Sequence, residues 1–266
     1  MIYYILDHSS KSSLEERTRS QIVSWLKQHN LAGEFAEAHS PQQMSELALS
    51  AAKKDFKTIV AIGNDRSLQA TITGCLAVEQ DIVVGFIPTQ HGSLAADALG
   101  LSDWRAAAQN ISGRKTRQLK LAQRPHGYFV FEESFETDTE MIPEATITID
   151  GKLRIKTPLN QIIVRHQTNS LTDTDKAFIV EVYAKNSTAE KTLQSNKSVF
   201  SGIAQLAKTK LSPTNELVVR ISADHVALSA SKNHLLTSTG EKISFPFEIS
   251  PSGRTIRLIV GKHSPL

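Results

Sequence analysis

The chain has one cysteine, Cys75, among 266 residues. No internal disulfide can form. The residue sits among apolar neighbours on a predicted helix, where cysteine commonly serves as a small packing group. No stretch approaches the ~20 apolar residues that a membrane-spanning helix needs. The N-terminal MIYYILDHSS has a short apolar run with no basic region before it, so it reads as a first strand and not as a signal peptide. An excess of one charge is also missing, since Lys+Arg 30 against Asp+Glu 27 leaves a net charge of +3. There is no dense Lys/Arg run and no basic stripe studded with aromatics, so nucleic acid is not an expected partner. The slight positive balance still permits weak attraction to an anionic surface. The expected location is the cytoplasm, with a peripheral position at a membrane left open. No internal repeat and no low-complexity linker occurs.

What is present suits two globular domains, given the length and a 40% hydrophobic content. The first part alternates strand and helix patterns. Strands are expected at Ile2–Leu6, Glu34–Ala38, Thr58–Ile62 and Ile82–Ile87. Leu14, Ile22, Val23, Trp25 and Leu26 mark the first helix. In SPQQMSELALSAAKK, Ser40 is the expected N-cap, Pro41 the first helical residue and Gln43 the partner of a capping box. Met44, Leu47, Ala48 and Ala51 form its apolar face. Further helices are expected over Ser67–Val78 and Leu94–Leu99, then one capped by Ser102. Alternating strands and helices imply a doubly wound parallel sheet covered on both faces.

From about residue 116 the period changes. ATITIDGKLRIKT alternates around Asp150-Gly151, a two-residue hairpin signal. Strands are expected at Gln161–His166, Phe178–Tyr183, Leu217–Ile221, Val226–Ala230, Lys242–Ile249 and Ile256–Val260, with one helix at 198–210. Glu132, Glu133, Glu136, Asp138 and Glu140 follow a strand over Tyr128–Phe131 and read as a solvated acidic loop. This yields an α/β domain over residues 1–115 and an antiparallel β-sandwich over 116–266, joined by the short SGRKTRQ.

In a parallel α/β sheet, ligands bind beyond the carboxyl ends of the strands. Three loops lie there: Asp7–Ser13, Gly63–Ser67 and Pro88–Ser93. Each precedes a helix and so offers unpaired N–H groups and a positive dipole end. That suits a polyphosphate, although every helix start shares the feature. Asp65 could instead cap the helix that follows it, and Arg66 is either a solvated arginine or a bidentate phosphate ligand. His8, His91, Asp7 and Asp65 could come together as a metal site.

In this order the loops resemble the diacylglycerol kinase and sphingosine kinase catalytic family, whose fold is shared with NAD kinases. Asp7-His8-Ser9-Ser10-Lys11 stands where that family has Asn-Pro-x-Ser-Gly. Gly63-Asn64-Asp65-Arg66-Ser67 stands at its Gly-Gly-Asp-Gly-Thr loop. Pro88 through Ala96 and Leu99-Gly100 match its third loop, and GYFVFEESFE resembles the opening of its second domain. Thr239-Gly240-Glu241, followed by Phe245-Pro246-Phe247, stands at its Asp-Gly-Glu. The resemblance implies nucleotide contacts from Ser9, Ser10, Gly63, Asn64, Asp65, Arg66, Ser67, Gln90, His91, Gly92 and Ser93. It implies a metal contact at Asp65 and catalytic positions at Glu241 and Thr239. ATP and Mg²⁺ would be the cofactors of an active enzyme, and the ligand would sit between two domains. The last strand would return to the first domain.

The departures bear on activity. Arg66 replaces a glycine and cannot take a positive φ cheaply, whereas Asn64 tolerates it. Gln90-His91 replace Gly-Thr, Ser93 replaces Asn and Leu94 replaces an acid. Thr239 replaces the expected base, and a threonine cannot accept a proton at neutral pH. Three readings follow. The first is a lipid-kinase-family protein that binds a nucleotide or phosphorylated ligand with phosphoryl transfer weak or lost. The second is an active ATP-dependent lipid kinase with rearranged residues. The third is a non-catalytic interaction scaffold. A bound adenine nucleotide separates the third from the others, and turnover with an added lipid separates the first two.

Overall fold

The structure is a computed structural model and describes residues 1–9, 13–31, 33–137, 142–167, 176–185, 215–230, 234–262 and 264–266. The helix expected at 198–210, the candidate Ser10, and Asp138 and Glu140 of the acidic run lie outside the described residues. Two compact units form. One comprises residues 1–121, 129–131 and 252–266, and the other 122–128 and 132–251.

The first unit alternates β1 (Ile2–Asp7), α1 (Ser13–Gln28), β2 (Gly33–Ala38), α2 (Pro41–Lys53), β3 (Thr58–Gly63), α3 (Asp65–Leu76), β4 (Val83–Pro88), α4 (Leu94–Leu99) and α5 (Trp104–Gly113). Its strands pair in parallel in the order β2-β1-β3-β4. β1 and β3 are buried along their whole length, which is why both read as near-continuous apolar runs. α2 packs on α3 and α1 on α5. Cys75 lies inside this packing, where burial pushes its thiol up to about 12.

Several local expectations shift. α2 buries Met44, Ala48, Ala51 and Ala52, while Leu47 is half-exposed. Ser40 caps the helix by accepting from Gln43 N–H at 3.1 Å. The Gln43 side chain reaches one residue further back than a capping box requires and accepts from His39 N–H at 2.8 Å. α5 is capped by Asp103, not Ser102, because the longer carboxylate accepts from both Arg105 and Ala106 N–H.

Beyond α5 every regular element among the described residues is a strand: β5 (Thr116–Arg124), β6 (Gly127–Phe129), β7 (Glu132–Glu136), β8 (Ile142–Ile149), β9 (Leu153–Leu159), β10 (Gln161–His166), β11 (Phe178–Lys185), β12 (Asn215–Ala223), β13 (Val226–Ala230), β14 (His234–Thr237), β15 (Lys242–Ser244) and β16 (Phe247–Ile259). The single strand expected over 242–249 is two, β15 and β16, broken where the Phe245-Pro246 peptide is cis. In the second unit one antiparallel sheet runs β12-β11-β10-β7-β14-β15. A second contains β13, β8 and β9, with Phe247–Ile249 of β16 beside β13. β9 packs against β11, closing the sandwich. Farther along β16, Arg257 and Leu258 run parallel beside Val83 and Val84 of β4. The protein is thus an α/β unit plus an antiparallel β-sandwich.

Candidate functional site

β3 ends at Gly63, and the turn into α3 closes at once. Asn64 is the N-cap, with φ −108. Its side chain accepts from Ser67 N–H at 3.1 Å, while Ser67 Oγ accepts from Asn64 N–H at 3.0 Å. This reciprocal box starts the helix at Asp65, two residues earlier than the apolar pattern suggested. Neither Asn64 nor Arg66 has a positive φ. The conformational penalty expected of Arg66 therefore does not arise, because the loop that would impose it has become a helical turn.

The Ser67 hydroxyl donates to Asp7 Oδ2, and Ser9 N–H donates to Asp7 Oδ1 at 2.8 Å. Asp7 is 6% exposed. The end of β1 is thus latched to the first turn of α3. The latch needs Gly63, since a Cβ there would lie 2.3 Å from Ser67 Oγ and 2.8 Å from Asp7 Cβ.

Asp65 does not cap its own helix, as Asn64 holds that role. Its carboxylate reaches across to α4, where it accepts from Ser93 Oγ and from Leu94 N–H, the latter at 3.0 Å. Ser93 in turn accepts from Ala96 N–H at 2.9 Å as the N-cap of α4. Thr89 N–H donates to Gly63 O at 2.8 Å, tying the third loop to the second.

Between these loops lies a cleft of about 330 Å³ lined by Gly63, Asn64, Asp65, Arg66, Gln90, His91, Gly92 and Ser93. Eight of the residues expected to contact a ligand therefore share one surface, with Ser67 buried beneath it. Of the first α3 donors, Ser67 N–H goes to Asn64 Oδ1 and Leu68 N–H to Asn64 O. Helix geometry leaves the Asp65 and Arg66 N–H groups directed at the cleft end. The Arg66 side chain is exposed, as are Gln90 and His91.

As a metal ligand Asp65 offers only oxygens that already accept hydrogen bonds. Among the described residues no group of three or more His, Cys, Asp or Glu side chains comes together. The ring of His8 lies 5.8 Å from that of His39.

Thr239 and Glu241 belong to the second unit, on the turn between β14 and β15. The Thr239 and Thr237 hydroxyls lie 3.0 Å apart. Glu241 accepts from Arg124 Nη1 at 2.7 Å. Arg124 also lies 3.0 Å from Glu133, which is fully buried, and Glu133 accepts from Ser238 N–H at 2.9 Å. The acidic run is therefore not a solvated loop over Glu132–Glu136. It is β7, with Glu133 and Phe135 facing inward and Glu132 paired with Arg165 at 2.7 Å. Asp7, Arg124 and Glu133 were missed as anchors because sequence shows charge but not its partner.

Residues 2–124 match the family described as the diacylglycerol kinase catalytic domain. Two solved structures described as a diacylglycerol kinase and a putative diacylglycerol kinase, both from Bacillus anthracis str. Sterne, are similar over 98% of this chain and 97% of theirs. Their TM-scores are 0.61 and 0.64, at 13% and 12% identity. An NAD kinase from Archaeoglobus fulgidus, solved in complex with ATP, covers 99% of this chain and 95% of its own at a TM-score of 0.55 and 13% identity. No curated protein matches the chain by sequence. At these identities the structures establish the fold. Residues 2–124 match the diacylglycerol kinase catalytic-domain family, and the whole chain shares its fold with the diacylglycerol kinase and NAD kinase structures.

Proposed function

We propose that this chain binds a nucleotide or another phosphate-bearing ligand in the cleft between Gly63–Arg66 and Gln90–Ser93, and transfers its phosphoryl group weakly or not at all. The observation that carries the reading is the convergence on one cleft of the exposed Arg66 and the first turn of α3 with its Asp65 and Arg66 N–H groups. Backbone donors, a helix dipole and a guanidinium together suit a phosphate. The Archaeoglobus fulgidus relative is described in complex with ATP, which supports a nucleotide as the ligand to test first.

Weak transfer follows from the turn at residue 239. Thr239 cannot deprotonate an acceptor hydroxyl at neutral pH. Glu241 is the nearest substitute in sequence, but it is committed to Arg124 at 2.7 Å. A missing general base alone lowers a rate by ~10²–10⁴-fold. The active-kinase reading requires Glu241 to leave that ion pair, and no described contact favours this.

The test is thermal unfolding of the full chain with ATP and ADP, with and without Mg²⁺, for the wild type and Arg66→Ala. A ligand that binds only the folded state raises the midpoint in a concentration-dependent way. We expect stabilisation of the wild type and a weaker response in Arg66→Ala. No response from the wild type contradicts the reading.

A further inference from the structure

We propose that Arg19 grips an anionic group of the ligand at this cleft, and that Glu15 is the internal counterion which a bound phosphate displaces. The proposal deepens the phosphate-binding reading and rests on it. Arg19 lies on the stripe of α1 that also holds Ile22 and Leu26, both fully buried. Its side chain is 4% exposed. Nε and Nη1 are buried with no hydrogen-bond partner. The ion pair it makes, Nη1 to Glu15 Oε2, spans 3.8 Å, beyond hydrogen-bond length. A charge this deeply buried normally has close, well-aligned partners, because desolvation is otherwise uncompensated. An apolar side chain would suit the stripe better. Something beyond packing is needed to explain an arginine here.

Its neighbours lead to the cleft. Glu15 accepts from Gln90 Nε2 at 2.8 Å, and Gln90 lines the cleft. One residue earlier, the Thr89 hydroxyl is also buried without a partner. Two separate orphaned donors therefore lie on α1 and on the third loop, and the Glu15–Gln90 hydrogen bond connects the first of them to a residue of the cleft. A phosphate supplies what both lack, namely several acceptor oxygens and a negative charge that matches the planar guanidinium fork. Glu15 then competes with the ligand for Arg19, and rotation of Glu15 and Gln90 exposes the guanidinium to the cleft. The class of ligand is a phosphomonoester or a terminal polyphosphate.

The experiment titrates inorganic phosphate and ADP separately, at constant ionic strength, into the full-length wild type, Arg19→Met, Glu15→Gln and Arg66→Ala. Unfolding midpoints are recorded without ligand. Arg19→Met should unfold at or above the wild-type temperature, since an under-paired buried charge is gone. Its affinity should fall roughly tenfold to a hundredfold, the worth of a charged hydrogen bond. Glu15→Gln should bind more tightly, because the competing charge is removed. Phosphate and ADP arms that both depend on Arg19 point to a nucleotide phosphate, and dependence in the phosphate arm alone points to a smaller phosphorylated ligand. Wild-type affinity in Arg19→Met overturns the proposal, as does unchanged or weakened binding in Glu15→Gln. Binding lost in Arg66→Ala but intact in Arg19→Met overturns this proposal alone. A wild type that binds neither probe overturns the cleft reading as well.

Discussion

Gly63 has no room for a methyl group. Its Cβ would lie 2.3 Å from Ser67 Oγ, inside the latch that joins Asp7 to Ser67. Gly63→Ala should therefore cost about 1–3 kcal/mol, the usual range for overpacking. Urea unfolding checks this, and an unchanged midpoint contradicts it. Arg66 makes a second forecast. Restoring glycine there would help if the loop needed a positive φ, but Arg66 lies in the first turn of α3. Arg66→Gly removes the guanidinium and weakens helix propensity by up to about 1 kcal/mol. It should bind ADP no better than Arg66→Ala. Tighter binding by the glycine variant in a calorimetric titration would show that the loop is conformationally strained. At this scale the sequence was half legible. Residue types and their order located the cleft wall, but whether Asp65 capped α3 or α4 depended on a partner 28 residues away.

At the scale of elements, the β14–β15 turn hangs on Arg124. Removing the guanidinium strands Glu133, which is fully buried. Breaking a buried ion pair from one side typically costs ~3–5 kcal/mol. Arg124→Met should approach that loss in denaturant unfolding, while Glu241→Gln should lose far less because Glu241 is partly exposed. Equal effects would mean that the network is not anchored at Glu133. The Asp150-Gly151 hairpin was read from its dipeptide alone, and both residues have positive φ, 51 and 67. What the dipeptide hid is its electrostatics. Partial burial of Asp150 raises its pKa, but hydrogen bonds from Lys176, Asp224 N–H and His225 N–H, with the Lys176 charge, outweigh it and hold the carboxyl below its ordinary value. A depressed folded pKa gives stability that is full above the unfolded value, about 3.9, and is lost as pH falls through the folded one. The stability gap between wild type and Asp150→Asn should be constant from pH 5 to 8 and shrink below about pH 4. A gap that persists at pH 2 would assign it to the turn backbone instead. β7 shows why strands hide. EESFE reads as an acidic loop unless Glu133 is known to pair inward.

For the whole molecule, periodicity made the change from α/β to antiparallel β visible, since buried parallel strands are continuous apolar runs and hairpins alternate. It did not show that β16 joins β13 at one end and β4 at the other, because strand pairing is set by contacts far apart in sequence. The central claim is a family fold that still receives a phosphate-bearing ligand and has lost efficient transfer. The most direct measurement is a titration of ATP and Mg²⁺ into the full chain with diacylglycerol vesicles present, with the lipid product assayed in the same sample. The account predicts saturable ATP binding with phosphorylated lipid at background. Robust product formation, or no ATP binding at all, would contradict it.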